Sequence, residues 1–379
     1  MKWLQWLGLP VGIAILIGLT VHDGAGDVVR VIGAAGPVLL WLVPFHALPL
    51  LLDAHAWRLL LDKRAPLSFL WWVATVREAV NRLLPVVGVG GEIVGVRLAR
   101  WKLRADGEGD GGAGDDGRDM SRVTASVIVE VFVTIAVQYA FSALGVVLIV
   151  AATGDGGSLR TIVTIALALL LTAPLPVLAV FLLRRGGVFH AIERWAARLL
   201  GANNPLMMGI DGKQLDADLD QLMSRTGLMF RAFFWQLGGY MLGAFETWWA
   251  LTLLGHPVTV GEALAIEAIT QAVRHAAFMV PAGLGVQEVA VVLLAQLFGV
   301  SQEVAFSLAL VKRMREVVFG VFALLSWQAA EIVRTRRSLR EGKRADGASE
   351  ALPAAACVRA RAAHELHEPK STVHHDQPH

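Results

Sequence analysis

Apolar stretches of membrane-crossing length, separated by short charged clusters, set the pattern of the chain. Runs cover about 3–21, 31–52, 123–151, 159–183, 230–254 and 304–332. A helix needs roughly 20 apolar residues to cross the hydrocarbon core of a bilayer, so each run predicts one spanning helix. Two other stretches, 67–99 and 263–300, are apolar but interrupted by charges, prolines and glycines. Each is too short for two comfortable spans and a turn, so they are expected to form re-entrant or broken helical hairpins. Non-helical backbone at membrane depth persists only where protein or a wet cavity covers it, and each hairpin should therefore line a cavity. The expected fold is an all-α polytopic membrane protein with about six full spans plus two hairpins. The first run follows Lys2 in the manner of a signal peptide, but it has span length and no small-residue cleavage site follows, so it is taken as a span.

Composition sharpens this picture. Hydrophobic residues make up 55% of the 379 and charged residues only 17%, against about 45–50% and about 25% in a soluble domain. Soluble globular and disordered classes are thereby excluded. The net charge of +2 conceals a segregation. Lys and Arg gather at 58–64, 100–122, 184–225 and 334–344, while the 153–158 and 255–261 loops hold none. The positive-inside rule then places both termini and the basic loops in the cytoplasm. On that placement hairpin 67–99 begins and ends inside and hairpin 263–300 begins and ends outside, so the two are opposed. The single cysteine, Cys357, rules out a disulfide framework and a cysteine metal site.

The hairpins share a motif. The first reads Arg77-Glu78 … Pro85-Val86-Val87-Gly88-Val89-Gly90-Gly91-Glu92, the second Arg274-His275 … Pro281-Ala282-Gly283-Leu284-Gly285-Val286-Gln287-Glu288. In each, a Glu stands seven residues after a Pro, and an Arg seven or eight residues before it. Opposed hairpins with matching motifs are the signature of an inverted-topology repeat, whose substrate site lies near the midplane. Pro85 and Pro281 break the helix. Gly88, Gly90, Gly91, Gly283 and Gly285 permit the turn and close approach. Glu92 and Glu288 can cap the following half-helix, take a proton, or meet an amine-bearing head group. Arg77 and Arg274 can pair with those carboxylates or hold a lipid phosphate.

Other charges also fall at membrane depth, where they are expensive and usually functional. The last run carries Lys312, Arg313, Arg315 and Glu316; Arg313 and Glu316 are three apart and share a helix face. Arg313 and Glu316 join the candidate substrate-binding residues, with Glu316 either an internal partner or a site group. Glu130 and Glu246 are each either one member of a buried pair with an arginine or a singly hydrogen-bonded structural carboxylate. The Gly/Asp-rich 106–119 stretch reads as a flexible linker. The 184–227 segment holds an amphipathic stretch at 188–200 suited to an anionic membrane surface. The basic 334–379 tail reads as largely disordered, so its histidines lack a scaffold for metal. No Walker A, H-E-x-x-H or G-x-S-x-G motif occurs. No catalytic residue, cofactor, metal or nucleic-acid partner is expected, and the chain is not expected to be an enzyme.

Asn81-Arg82-Leu83-Leu84-Pro85 with Gly90-Gly91-Glu92-Ile93-Val94-Gly95-Val96-Arg97-Leu98 resembles the signature of the lysylphosphatidylglycerol synthase transmembrane region, a flippase-like family. Gly285-Val286-Gln287-Glu288, the 307–316 segment Ser-Leu-Ala-Leu-Val-Lys-Arg-Met-Arg-Glu, and Trp327-Gln328-Ala329-Ala330-Glu331 resemble its hopanoid-biosynthesis-associated branch. The resemblance spans about 1–335, and the chain is expected to divide into a transmembrane domain, 1–333, and a tail, 334–379. It implies a multi-pass bacterial inner-membrane protein that moves lipid, hopanoid or anionic phospholipid, with hopanoid-biosynthesis proteins as possible partners. The soluble aminoacyl-transfer domain of the larger synthases is not expected here, so the resemblance does not imply aminoacylation. An intramembrane head-group-modifying enzyme and a scaffold for hopanoid enzymes are the competing expectations.

Overall fold

The computed structural model describes residues 30, 32–83, 90–106, 113–153, 212–277 and 285–365. The described residues form helices and connecting turns, with no strand among them. The runs at 3–21 and 159–183, the 188–200 stretch, and Pro85, Gly88, Pro281 and Gly283 lie outside them. Two compact units divide the chain, 1–324 and 325–379. The second is helical as far as Glu365.

A 3₁₀ turn, Gly36–Trp41, leads into α1 (Leu42–Phe45) and α2 (Ala47–Leu60). Pro44 and Pro49 cannot donate to the helical ladder, and a single turn residue, His46, with helical φ −58° and ψ −22°, separates α1 from α2. Helix α3 (Leu67–Leu83) and α4 (Gly90–Asp106) form the first hairpin, and α5 spans Ala113–Thr153. After α6 (Gly212–Ser224) and α7 (Thr226–Leu253), α8 (Val260–Ala276) and α9 (Val286–Leu297) form the second hairpin. The last helix, α10, runs Gln302–Glu365.

Among the described residues, three stretches are long and apolar enough to cross a membrane: Ile32–Leu60, Asp119–Ala152 and Gln302–Arg336. The expected 230–254 span forms α7, which is not among those three; Arg231, Gln236 and Glu246 interrupt its apolar composition. Its 28 residues reach roughly 42 Å at 1.5 Å each, more than the roughly 30 Å hydrocarbon core. Two expected boundaries move. The 31–52 run does not end at Asp53, because the helix continues through Arg58 to Leu60. The turn comes only at Asp62 and Lys63, both at positive φ. The 106–119 linker is helical from Ala113.

Both hairpins have short arms. Helices α3, α4 and α8 have 17 residues and α9 has 12, so the longest reach roughly 26 Å, less than the core thickness. In the first hairpin, a Cβ on Gly91 would lie 2.5 Å from the Arg77 carbonyl oxygen, so only glycine lets the arms come this close. In the second, Gly285 starts α9 at φ 80°, a region L side chains avoid.

The packing is inverted relative to a water-soluble bundle. On α7, Phe230, Phe234, Met241 and Phe245 are exposed, whereas Gln236, Glu246 and Thr247 are buried. On α10, Met314, Val317, Val321 and Phe322 face out while Lys312, Arg315 and Glu316 are buried. Apolar outside and charged inside is the arrangement hydrocarbon solvent rewards. Elsewhere apolar contacts close the interior. Leu251, Ile266, Ile269, Val291, Phe306 and Leu308 join α7–α10, and Val129, Val133, Leu215, Leu219 and Ala232 join α5, α6 and α7.

Candidate functional site

Helix α2 packs on α3 and α7, and α8 packs on α5, α7 and α9. Between them lies a cavity of about 440 Å³, walled by side chains from α2–α5 and α7–α10 together with His46. Its lining is rich in ionisable groups, most of them already matched to one another.

The first hairpin contributes Arg77. Its Nη1 donates to both carboxylate oxygens of Glu130 at 2.9 and 2.8 Å, and its Nη2 donates to Glu92 at 3.3 Å. The guanidinium also sits 4.9 Å over the Trp57 ring. The sequence-predicted pair Arg77–Glu92 is thus brought together, and Glu130 is resolved as a member of a buried pair. Asn81 completes this corner. It donates to Glu92 at 3.3 Å and accepts from the Gly91 amide at 2.8 Å, capping α4 from the neighbouring arm.

The second hairpin is built differently. Glu288 accepts from the Gly285 amide at 2.8 Å and so caps α9. It lies 3.7 Å from Arg313, which in turn donates to Glu316 at 2.9 Å. The spacing-based pair Arg313–Glu316 therefore forms. Arg274, unlike Arg77, has no ion-pair partner among the described residues, and its buried Nη1 has no hydrogen-bond partner. The motif match between the hairpins is not matched by the same pairing.

Between the hairpins, Arg82 of α3 donates to Glu316 of α10 at 2.6 Å and pairs with Glu78 at 3.3 Å. Gln287 of α9 also donates to Glu316, at 3.1 Å. Glu246 of α7 accepts from Arg315 at 2.7 and 2.6 Å. His46 lies among these groups, 3.0 Å from Glu78 and 3.2 Å from Glu246, with Arg315 in contact with Nδ1. Lys312 pairs with Glu267 and donates to Thr247 at 2.9 Å. Glu246 is thus also a member of a buried pair.

Site groups that escaped the sequence reading include Glu267, the partner of Lys312, with His46, Glu78 and Asp53. His46 and Glu78 join the network just described. Asp53 lines the cavity from α2, accepts from Gln236 at 3.0 Å, and has no ion-pair partner among the described residues. The available signal was spacing: His46, Pro49, Leu50 and Asp53 recur at i, i+3, i+4 and i+7 and all line the cavity. Asp53 was hidden because it stands at the edge of an apolar run beside a basic loop.

Comparison with known proteins yields one match. A family model described as the lysylphosphatidylglycerol synthase TM region matches residues 5–323. No curated protein and no solved structure matches the chain.

Proposed function

The chain belongs to the lysylphosphatidylglycerol synthase transmembrane-region family, and from that premise we propose that it is a lipid transporter that carries a polar head group through the bilayer. The observation that carries this reading is the charged cavity of about 440 Å³ enclosed by helices whose outward faces are apolar. That volume falls in the range of small-ligand sites, about 300–1,000 Å³. It suits a head group whose acyl chains stay in lipid. Crossing hydrocarbon exposes a head group to the full cost of lost hydration, and a polar cavity lowers that cost. Arg274, which lines the cavity and has no ion-pair partner among the described residues, is the group we assign to the phosphate. Glu92 and Glu288 belong to the two hairpins, which we read as opposed halves of an inverted repeat. The site is read as non-catalytic because most of its carboxylates are held in ion pairs.

The motifs at 285–288, 307–316 and 327–331 support a link to hopanoid trafficking, we read the membrane as a bacterial inner membrane, and the Lys/Arg distribution supports an orientation with both ends cytoplasmic. Cys357, the single cysteine, gives a direct check of the latter. A membrane-impermeant maleimide should label it only after cells are permeabilised.

The test of transport uses purified protein in liposomes with acyl-labelled fluorescent phosphatidylethanolamine or phosphatidylglycerol, quenched by dithionite from outside. Translocation should exceed that of protein-free liposomes and fall for Glu92→Gln and Arg274→Gln. Equal rates with and without protein would sink the transport reading. In a deletion strain with its membranes separated, hopanoids should all be present but redistributed. A missing species with an accumulated precursor would instead indicate an enzyme or an enzyme's partner.

A further inference from the structure

We propose that the cavity selects a zwitterionic phospholipid head group, with Asp53 receiving the ammonium and Arg274 the phosphate. This rests on the lipid-handling reading of the cavity and adds the chemical class of the ligand and a residue, Asp53, that the hairpin motifs do not contain.

The argument is one of matching. Seven carboxylates and five Lys or Arg side chains line the cavity. Six of the carboxylates have a Lys, Arg or His46 partner, and four of the cations have a carboxylate partner. Asp53 and Arg274 are the lining charges left over among the described residues. Holding an unmatched ion out of water is costly, and here one ion of each sign is held in one cavity. Asp53 and Arg274 line one and the same cavity, from α2 and α8, and Tyr240 of α7 lines it with them.

The sign of the lining excludes the simpler ligands. A purely anionic head group would satisfy Arg274 but add negative charge to a wall that already has more carboxylates than cations. A purely cationic one would leave the Arg274 guanidinium unmet. A head group with an ammonium a short linker away from its phosphate completes both. The ammonium has three donors, which suits an Asp53 carboxylate with one oxygen already receiving the Gln236 amide at 3.0 Å. A planar guanidinium with an unused buried N–H suits a phosphate.

Lipid retention by the purified full-length protein in detergent tests this. The probes are phosphatidylethanolamine and phosphatidylglycerol with identical acyl chains, weighed against each other by native mass spectrometry. The wild type should retain phosphatidylethanolamine about tenfold better, the worth of one charge-assisted hydrogen bond. Asp53→Asn should erase that preference by lowering phosphatidylethanolamine retention without lowering that of phosphatidylglycerol, Asp53→Glu should restore part of it, and Arg274→Gln should weaken both lipids. Thermal unfolding of each variant separates lost selectivity from lost folding, and Asp53→Glu carries the test if Asp53→Asn does not fold. Equal retention of the two lipids by the wild type, retention of neither, or an equal loss of both in a folded Asp53→Asn protein would overturn the proposal. Because retention is read without translocation, selective binding without movement in liposomes would remove the transport reading and leave this one standing. Movement without selectivity would do the reverse.

Discussion

Arg77 holds two carboxylates, Glu130 and Glu92, from two different helices. Replacing it by Gln leaves Glu130 buried without its cation, a change that costs about 3–5 kcal/mol where such pairs are broken. Arg77→Gln should therefore lower the unfolding temperature in detergent markedly, and Glu130→Gln placed on top of it should recover part of the loss. An additive double mutant would mean that the pair is not coupled. This pairing was half legible in the sequence. The Arg-to-Pro-to-Glu spacing pointed to Arg77 and Glu92, and the i,i+3 spacing pointed to Arg313–Glu316. Glu130 was seen only as a buried carboxylate with two possible fates, since its partner is 53 residues away. Asp53 and His46 went unseen for another reason. A polar residue near the end of an apolar run looks the same whether it faces a loop or a cavity, and only tertiary packing decides.

Helices and their joints carry the next set of expectations. Gly91 should not accept a side chain, because the obstacle is the Arg77 carbonyl at 2.5 Å, which is backbone and cannot swing aside. Gly91→Ala should cost about 1–3 kcal/mol, measurable as a lower midpoint of thermal unfolding. Gly243→Ala, with nothing within 4 Å of the new methyl group, should be close to neutral. The outer face of α7 makes a second expectation. Phe234 is 63% exposed, and Phe234→Arg should hinder membrane integration by about 2.5–3.5 kcal/mol on insertion scales. Carbonate extraction of membranes would show it; full retention of the variant would mean that this face does not meet lipid. Helical class was plain from apolar run length, and the hairpins from their interruptions. Element edges were less plain, as the extension of α2 through Asp53 to Leu60 shows. Two charges inside 14 residues imitate a loop in one dimension, while in three Asp53 lines the cavity and Arg58 donates to the Ala65 carbonyl beyond the helix end.

At the scale of the molecule, Arg82 and Glu316 tie the first hairpin to the last helix at 2.6 Å. Gln287 joins the second hairpin to the same carboxylate. A double-mutant cycle with Arg82→Gln and Glu316→Gln should give a coupling of about 0.5–3 kcal/mol, read from thermal unfolding of the four proteins. No coupling would mean that the hairpins are held by apolar packing alone. The same link has a consequence for how the protein is made. Glu316 follows Arg82 by 234 positions. At about 5–20 residues per second, the ribosome needs roughly ten to fifty seconds to supply the second half of the bond. Throughout that interval the nascent chain carries a guanidinium with Glu78 of its own helix beside it but its partner across the molecule not yet synthesised. Insertion must then proceed through a half-built state that only the final helix resolves, and a chain truncated before that helix should be recognised by membrane proteases as unfinished.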